Sequence, residues 1–354
     1  MLTIYLCGPD LSSSNKNQFN LIASMADHEV KNLSNEYKEL LSLPKERGWL
    51  DLPQYQYQGF WCARADIVQA IIAFQKQFQA RDSDIVVASV PKCGTTWLKA
   101  LTFAVVNRHR FEIEAHPLLT SNSHNLVPYL EVDLYINNRV PDFSSKFPGE
   151  PRRLFATHIP FPSLGTITKS NCKIVYVCRN PFDTFVSYWH FLNKIRQQSI
   201  DPMSLDEAFD RYCQGIDPYG PFWDQMLGYW KERLKRPNNV LFFKYEDMKK
   251  DVVSHLKALA KFIDYPFTEE EERNGVIEDI AKLCSFETMK KLEVNKTGTF
   301  VMNVEKKYLF RKAEVGDWVN YLTPMMKERM SKLIEEKFGG SGLTFKATPE
   351  LADS

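Results

Sequence analysis

Four short runs constrain this chain's fold most: IVVASV at 85–90, RLFATHI at 153–159, KIVYVC at 173–178 and NNVLFFKYE at 238–246. Each is nearly continuous in Val, Ile, Phe and other apolar residues. A strand with one wet face alternates polar and apolar residues, whereas a strand covered on both faces does not. Helical patterns follow three of the runs, over 97–107, 182–194 and 248–264. Strand and helix in alternation build a parallel sheet with helices on its faces. The expected fold is α/β: a single domain with a central, mostly parallel sheet flanked by helices. A P-loop-like phosphate-binding turn is expected after the first run.

The flanking regions read less sharply. Residues 1–35 are polar, rich in Ser and Asn and aperiodic, so a flexible arm is expected, with a domain over 36–347 and a tail over 348–354. Within the domain, residues 36–47 read as a short helix stopped near Pro44 and Gly48. YQYQGFWC at 55–62 reads as an edge strand or extended loop. Residues 66–80 read as an amphipathic helix with Asp66 as its N-cap. Residues 285–312 mix Lys, Asn, Gly and Thr without a period and read as a mobile loop. A closing helix is expected over 323–337, stopped at GGSG.

Composition excludes several classes. The chain has 354 residues, 44% hydrophobic and 25% charged, with a net charge of +1. No global basic field recruits nucleic acid or a membrane surface, so an anion site must be built locally. The 7 cysteines are odd in number and include no CxxC pair, which argues for a reduced chain with no disulfide frame and no metal site. No run reaches the roughly 18 apolar residues of a membrane-spanning helix. The first residues lack the basic region and cleavage site of a signal peptide. A cytoplasmic protein is expected.

The stretch SVPKCGTTWLKAL at 89–101 joins the first strand to a helix. In an open parallel sheet, ligands bind beyond the carboxyl ends of the strands. A helix N-terminus there presents free N–H groups and a partial positive charge. Gly94 permits close backbone approach, Thr95 and Thr96 add hydroxyls, Lys92 adds a full charge, and Trp97 offers a stacking face. The pattern is not GxxxxGK[ST], because the lysine precedes the only glycine, which disfavours an NTPase. Alone, the stretch reads equally well as a tight strand–helix turn. A second stretch, CRNPFDTFVSYWHF at 178–191, places Arg179 at a strand end and Ser187 about two helical turns on. An Arg in the crevice can grip a phosphate bidentately. A third, FRKAEVGDW at 310–318, supplies Arg311 and Lys312, which could otherwise be a solvated charge pair.

Together and in this order, PKCGTTW, CRNPFDTFVSYWHF and FRKAEVGDW resemble the motifs of the cytosolic sulfotransferases over roughly residues 45–345. GFW, LCSFETMKKLEVNK and YLTP resemble the plant branch. The resemblance implies a donor, 3′-phosphoadenosine-5′-phosphosulfate (PAPS), with 3′-phosphoadenosine-5′-phosphate (PAP) as product. It implies in-line transfer of a sulfuryl group to a hydroxyl of a small metabolite, such as a flavonol, steroid, hydroxyjasmonate, phenolic or desulfo-glucosinolate. In this reading Lys92 stabilises charge on the leaving phosphate. Cys93, Gly94, Thr95 and Thr96 hold the 5′-phosphate. Arg179, Ser187, Arg311 and Lys312 hold the 3′-phosphate, with Ala313 in the same stretch. Trp97, Tyr245 and Phe286 lie near the adenine, with Ser285 and Met289 beside it. His158, in THIP at a strand end, is the base that takes the acceptor's proton. The other six histidines, His124 among them, read as ordinary core or surface residues. Tyr129, Phe161 and Phe222 sit near sheet ends, and Phe60, Trp61 and Phe222 are expected as acceptor-pocket walls. The loop around 290–309 is expected to close over the site, and no metal is required.

Three departures from the family pattern carry expectations. Ala313 replaces the glycine of RKGxxGDW, at a cost of about 1 kcal/mol if the backbone there has positive φ. Cys93 stands where a hydroxyl residue is common, and a thiol beside Lys92 at a helix N-terminus is expected to be acidified. VNYLTPMMKE at 319–328 keeps only Thr323 and Glu328 of the family's KxxxTVxxxE dimer motif, so a monomer, or at most a weak dimer, is expected. Two competing readings are a nucleotide kinase, which would need a Walker lysine and a Mg-binding Asp, and a non-catalytic PAPS/PAP-binding protein. Intact Lys92 and His158 argue against the latter.

Overall fold

The computed structural model describes residues 40, 42–136, 140–146, 152–197, 199–300 and 304–346, without the side chains of 145 and 146. Residues 45–354 form one compact unit and residues 1–44 another. The arm expected over 1–35 and the tail over 348–354 lie outside the described residues.

The compact unit opens with a small antiparallel sheet, β1 (Lys45–Arg47), β2 (Pro53–Tyr57) and β3 (Phe60–Cys62), in that order. Of the helix expected over 36–47, Lys45–Arg47 is strand instead, with Lys45 pairing Tyr55, and residues 36–39 and 41 lie outside the described residues. Helix α1 (Ala65–Gln77) follows. Its N-cap is Arg64 rather than Asp66, which lies inside the first turn and accepts from Arg64 Nε at 3.0 Å. The helix ends earlier than residue 80 because Phe78 turns extended, packing its ring 5.3 Å from both Phe74 and Phe155.

The four apolar runs become the central sheet: β4 (Ile85–Ser89), β5 (Leu154–Thr157), β6 (Lys173–Cys178) and β7 (Val240–Lys244). The order is β5-β4-β6-β7 and every pairing is parallel. All of β4 and β5 is buried, as their unbroken apolar character requires. Helix α2 (Thr95–Asn107) follows β4, and α3 (Pro181–Ile195) follows β6 with Asn180 capping its first turn. The helices α4 (Leu205–Cys213) and α5 (Phe222–Lys235) were not anticipated, and α5 packs on β7. The helix expected over 248–264 is two helices, α6 (Tyr245–Lys250) and α7 (Val252–Phe262). Asp251 breaks the first and caps the second, accepting from Ser254 N at 3.0 Å. Helix α8 (Val276–Leu283) packs on α2.

The segment read as a mobile loop is built structure wherever it is described. Ser285 caps α9 (Phe286–Lys291), a helical turn Glu293–Lys296 follows, and Thr299–Phe300 pairs with Val304–Glu305. One of its polar residues, Asn295, is buried with buried partners. Asn295 accepts from Asn122 Nδ2 at 2.7 Å and donates to the Met289 carbonyl at 2.8 Å. Helix α10 (Pro324–Phe338) closes the unit, capped by Thr323.

One buried ion pair fastens the amino ends of the sheet. Arg153 grips Asp84 through two bonds of 2.7 and 2.6 Å, with both side chains buried. The same residues continue the ladder, with Ile85 N donating to Arg153 O and Lys173 N to Asp84 O, both at 3.0 Å. Removing one member of a buried pair strands the other charge and costs about 3–5 kcal/mol. Asp84→Ala is expected to lower the urea midpoint by that amount of stability, with the arginine-free double variant recovering part of it; equal stability of Asp84→Ala and wild type would refute the account.

Candidate active site

Strand β4 has β5 on one side and β6 on the other, so the loops leaving β4 and β6 diverge at a switch point, where α/β sheets bind ligands. The loop after β4 is tightly drawn. Lys92 has φ +69 and Gly94 φ +105. Gly94 is required twice over, because a Cβ there would also lie 2.8 Å from the Tyr245 ring. A left-handed lysine stores backbone strain of about 1–3 kcal/mol, which tends to persist where function needs it. Lys92 Nζ lies 4.1 Å from the Phe191 ring centroid. Burial, then repulsion from Arg179 and Arg311, pushes its ammonium down to about 7.

Arg179 leaves the end of β6, its guanidinium 4.7 Å from the Tyr245 ring centroid, with Nε buried and unpartnered. Ser187 lies two turns along α3 and is buried. The 311–318 stretch is held against α3 by Asp183, which accepts from Gly316 N at 2.7 Å and Trp318 N at 3.1 Å. Arg311 pairs with buried Asp317 at 2.5 Å, and Lys312 with the same carboxylate at 2.7 Å. Tyr245 donates to the Ala313 carbonyl at 3.1 Å, and Trp97 stands edge-on to Tyr245 with 5.7 Å between centroids. Ala313 has φ +57, the conformation that its departure from glycine makes costly.

His158 sits just beyond β5. Its Nδ1 lies 2.8 Å from the Ser89 carbonyl. A carbonyl only accepts, so Nδ1 carries the hydrogen and Nε2 is left with its lone pair. The ring lies between Tyr129 and Tyr219, at 4.8 and 5.3 Å. Its backbone is fixed from both sides: its N–H donates to Glu131 at 2.7 Å, and Gln225 donates to both His158 O at 2.9 Å and Ser89 O at 3.0 Å. Burial pushes the imidazole down to about 3, Lys99 and Lys92 adding to the effect and the Ser89 carbonyl opposing it. The ring is therefore neutral throughout the physiological range.

These groups open onto one cavity of about 590 Å³. Every residue expected at the donor and catalytic positions lines it except Cys93 and Lys312. Cys93 lies beneath the loop, its Sγ 3.4 Å from Thr184 Oγ1. Burial pushes its thiol up to about 12, the reverse of the acidification expected for a helix N-terminus. The charged residues of the lining are all cations, with no Asp or Glu.

The three expected pocket walls do not line this cavity. Phe60 and Trp61 are buried in β3, where Trp61 N bonds Gly220 O at 3.0 Å, and Phe222 is stacked on Tyr212 at 4.5 Å. Tyr129, Tyr188, Phe191 and Tyr219 do line the cavity, together with aliphatic residues such as Leu50 and Ile67. Of these, only Tyr129 drew notice in the sequence, as a residue near a sheet end; Tyr219 lies in an aperiodic connection. His124, read as an ordinary histidine, also lines the cavity. Among the described residues no cluster of His, Cys, Asp or Glu could hold a metal ion, and no helix is long and apolar enough to cross a membrane.

A lining whose charged residues are all cations suits an anionic ligand, and Arg179 keeps a buried Nε without a partner. Comparison with known proteins agrees. A family model described as a sulfotransferase domain matches residues 82–342. Cytosolic sulfotransferase 15 of Arabidopsis thaliana is 57% identical over 90% of this chain and 89% of its own length. Cytosolic sulfotransferase 14 of the same plant is 52% identical over 96% and 99%. The crystal structure of an Arabidopsis thaliana putative steroid sulphotransferase superposes with a TM-score of 0.69 at 40% identity, covering 91% of this chain and 98% of that one. A mouse sulfotransferase solved with PAP superposes with a TM-score of 0.60 at 27% identity, covering 82% and 96%. With the family domain spanning most of the chain, this protein belongs to the plant cytosolic sulfotransferases and is a PAPS-dependent sulfotransferase.

Proposed function

We propose that the enzyme sulfates a hydroxyl of a small plant metabolite, with His158 as the base and Lys92 as the cation facing the leaving phosphate. The single observation that carries this reading is the Nδ1–Ser89 bond, which leaves Nε2 as the only ring nitrogen able to accept a proton. When bound, PAPS supplies the sulfuryl group and leaves as PAP. Nε2 of His158 takes the acceptor's hydroxyl proton. Tyr129 and Tyr219 flank the imidazole and keep its plane fixed. Lys92, Thr95, Thr96 and the loop's backbone N–H groups would hold the 5′-phosphate. Arg179, Ser187 and Arg311 would hold the 3′-phosphate, while Lys312 acts through its bond to Asp317. Trp97, Tyr245 and Phe286 would enclose the adenine. Fixed donors and cations of this kind stabilise charge without reorganising, which is where such transfers gain most of their rate. The relatives are named cytosolic, and the same compartment is proposed here.

The acceptor end has the aromatic wall of Tyr129, Tyr188, Phe191 and Tyr219. That supports a planar or ring-bearing acceptor over a carbohydrate, because aromatic walls bury apolar surface and leave few polar partners for multiple hydroxyls. Labelled-sulfate transfer from PAPS to a panel of plant hydroxyl compounds tests the assignment. His158→Ala is expected to lower kcat by about 10²–10⁴-fold with PAP affinity kept. Lys92→Ala is expected to lower it by about 10²–10³-fold and to weaken PAP as well. Full activity in either variant overturns that residue's role.

Two further outcomes follow from the donor end. The Lys92 ammonium lies near 7 in the free protein and gains an anionic partner on binding. Its charge is thus fully present below that pH and lost above it, so PAP affinity is expected to fall as pH rises from 7 to 9. The slope should flatten in Lys92→Met, as measured by calorimetric titration. Ala313→Gly relieves a left-handed alanine. It is expected to raise stability by about 1 kcal/mol and to tighten PAP binding, read from thermal melts with and without PAP. A lower melting temperature would show that Ala313 is not strained.

A further inference from the structure

Beneath the loop lies a buried polar chain that the reaction described above does not use. Lys99, on α2, is fully buried, and its Nζ lies 3.0 Å from His124 Nδ1 and 3.2 Å from the Tyr129 ring centroid. Among the described residues no carboxylate pairs with it at ion-pair distance. His124 Nε2 lies 3.0 Å from Thr96 Oγ1. His124 is itself firmly placed. Its ring is clamped between Tyr129 and Phe300 at 5.4 and 5.2 Å, and its N–H donates to Asn122 at 2.9 Å. Ser123 next to it donates to the Thr96 carbonyl at 3.1 Å.

Burial pushes the Lys99 ammonium down to about 7, with Asp133 and Glu131 opposing the fall. In its charged form Lys99 has hydrogens and no lone pair, so it donates and Nδ1 accepts. A neutral ring that accepts at Nδ1 carries its hydrogen on Nε2, so His124 donates to Thr96 Oγ1. A hydroxyl that already receives a hydrogen there must aim its own elsewhere, and Thr96 opens onto the cavity. We infer that Lys99 and His124 are positioning residues that orient the Thr96 hydroxyl as a donor toward an anionic phosphate oxygen in the cavity. Without them the hydroxyl could turn its hydrogen inward and present a lone pair to the anion. The inference rests on the reading of this loop as the 5′-phosphate site.

Coupling separates an orienting role from a merely structural one. PAP affinity is measured calorimetrically for wild type, His124→Phe, Thr96→Ala and the double variant, with melting temperatures alongside. Phe keeps the ring stack and removes the N–H. His124→Phe is expected to weaken PAP about tenfold, the size of one well-directed hydrogen bond, and to have no further effect once Thr96 is Ala. His124→Gln keeps an N–H donor and is expected to stay within about threefold of wild type. Lys99→Met with Thr96→Ala runs the same cycle from the other end, and decides the matter if His124→Phe does not fold. Equal weakening in both Thr96 backgrounds, or none in either, overturns the relay while leaving the donor site standing. Failure of the wild type to bind PAP would instead sink the loop's assignment.

Discussion

Repulsion among Lys92, Arg179 and Arg311 is the constraint around which the rest of the molecule is arranged. The three stand close enough that the arginines help depress the Lys92 ammonium. Such a group disperses unless something holds it, and two buried aspartates do. Asp317 pairs with Arg311 and Lys312. Asp183 gives its oxygens to the backbone at Gly316 and Trp318, clamping the C-terminal stretch onto α3. Both stand behind the cations and outside the cavity lining. The charge facing the cavity is thus all positive and only partly balanced from behind, by Asp317 at Arg311 and by Asp183 3.8 Å from Arg179, and an anion entering it relieves the remaining repulsion. Ligand binding and fold stability are linked for that reason.

Much of this was legible in the residues. Strands buried on both faces announce themselves as unbroken apolar runs, and parallel pairing brings their carboxyl ends together. PKCGTTW, THIP and CRNP, far apart in the chain, therefore had to converge. Positive φ at residue 313 was foreseeable because an alanine stood where a glycine pattern was expected. What stayed hidden depends on partners distant in sequence. The stretch after Ser285 looked like solvent-facing loop because its asparagine partner, Asn122, lies 173 positions away. Phe60, Trp61 and Phe222 have the right chemistry for a pocket wall, but no local pattern says whether an aromatic ring faces a cavity or a neighbouring ring. Cys93 showed the same ambiguity: helix polarity argued for an acidic thiol, and enclosure under the loop won.

His158 illustrates how a reactive group gains precision from groups that never react. Tyr176 donates to Gln225 Oε1 at 2.5 Å, and Gln225 in turn spans the ends of β4 and β5 through Ser89 and His158. Glu131 secures the same turn from the other side, accepting from the His158 N–H and, at 3.0 Å, from the Thr157 hydroxyl. Strand ends tied together in this way leave the imidazole little freedom, and small angular errors at a reacting atom are expensive in rate.

The enclosure of the thiols gives the molecule a property unrelated to sulfation. Cys62, Cys93, Cys178 and Cys284 are buried in β3, under the loop, in β6 and beside α8, and burial pushes each thiol upward. A buried, protonated thiol reacts with an alkylating probe only when its surroundings open. The chain thus carries reporters spread across the edge sheet, the central sheet and the helices. Their separate labelling rates would time which region breathes first, without any engineered residue.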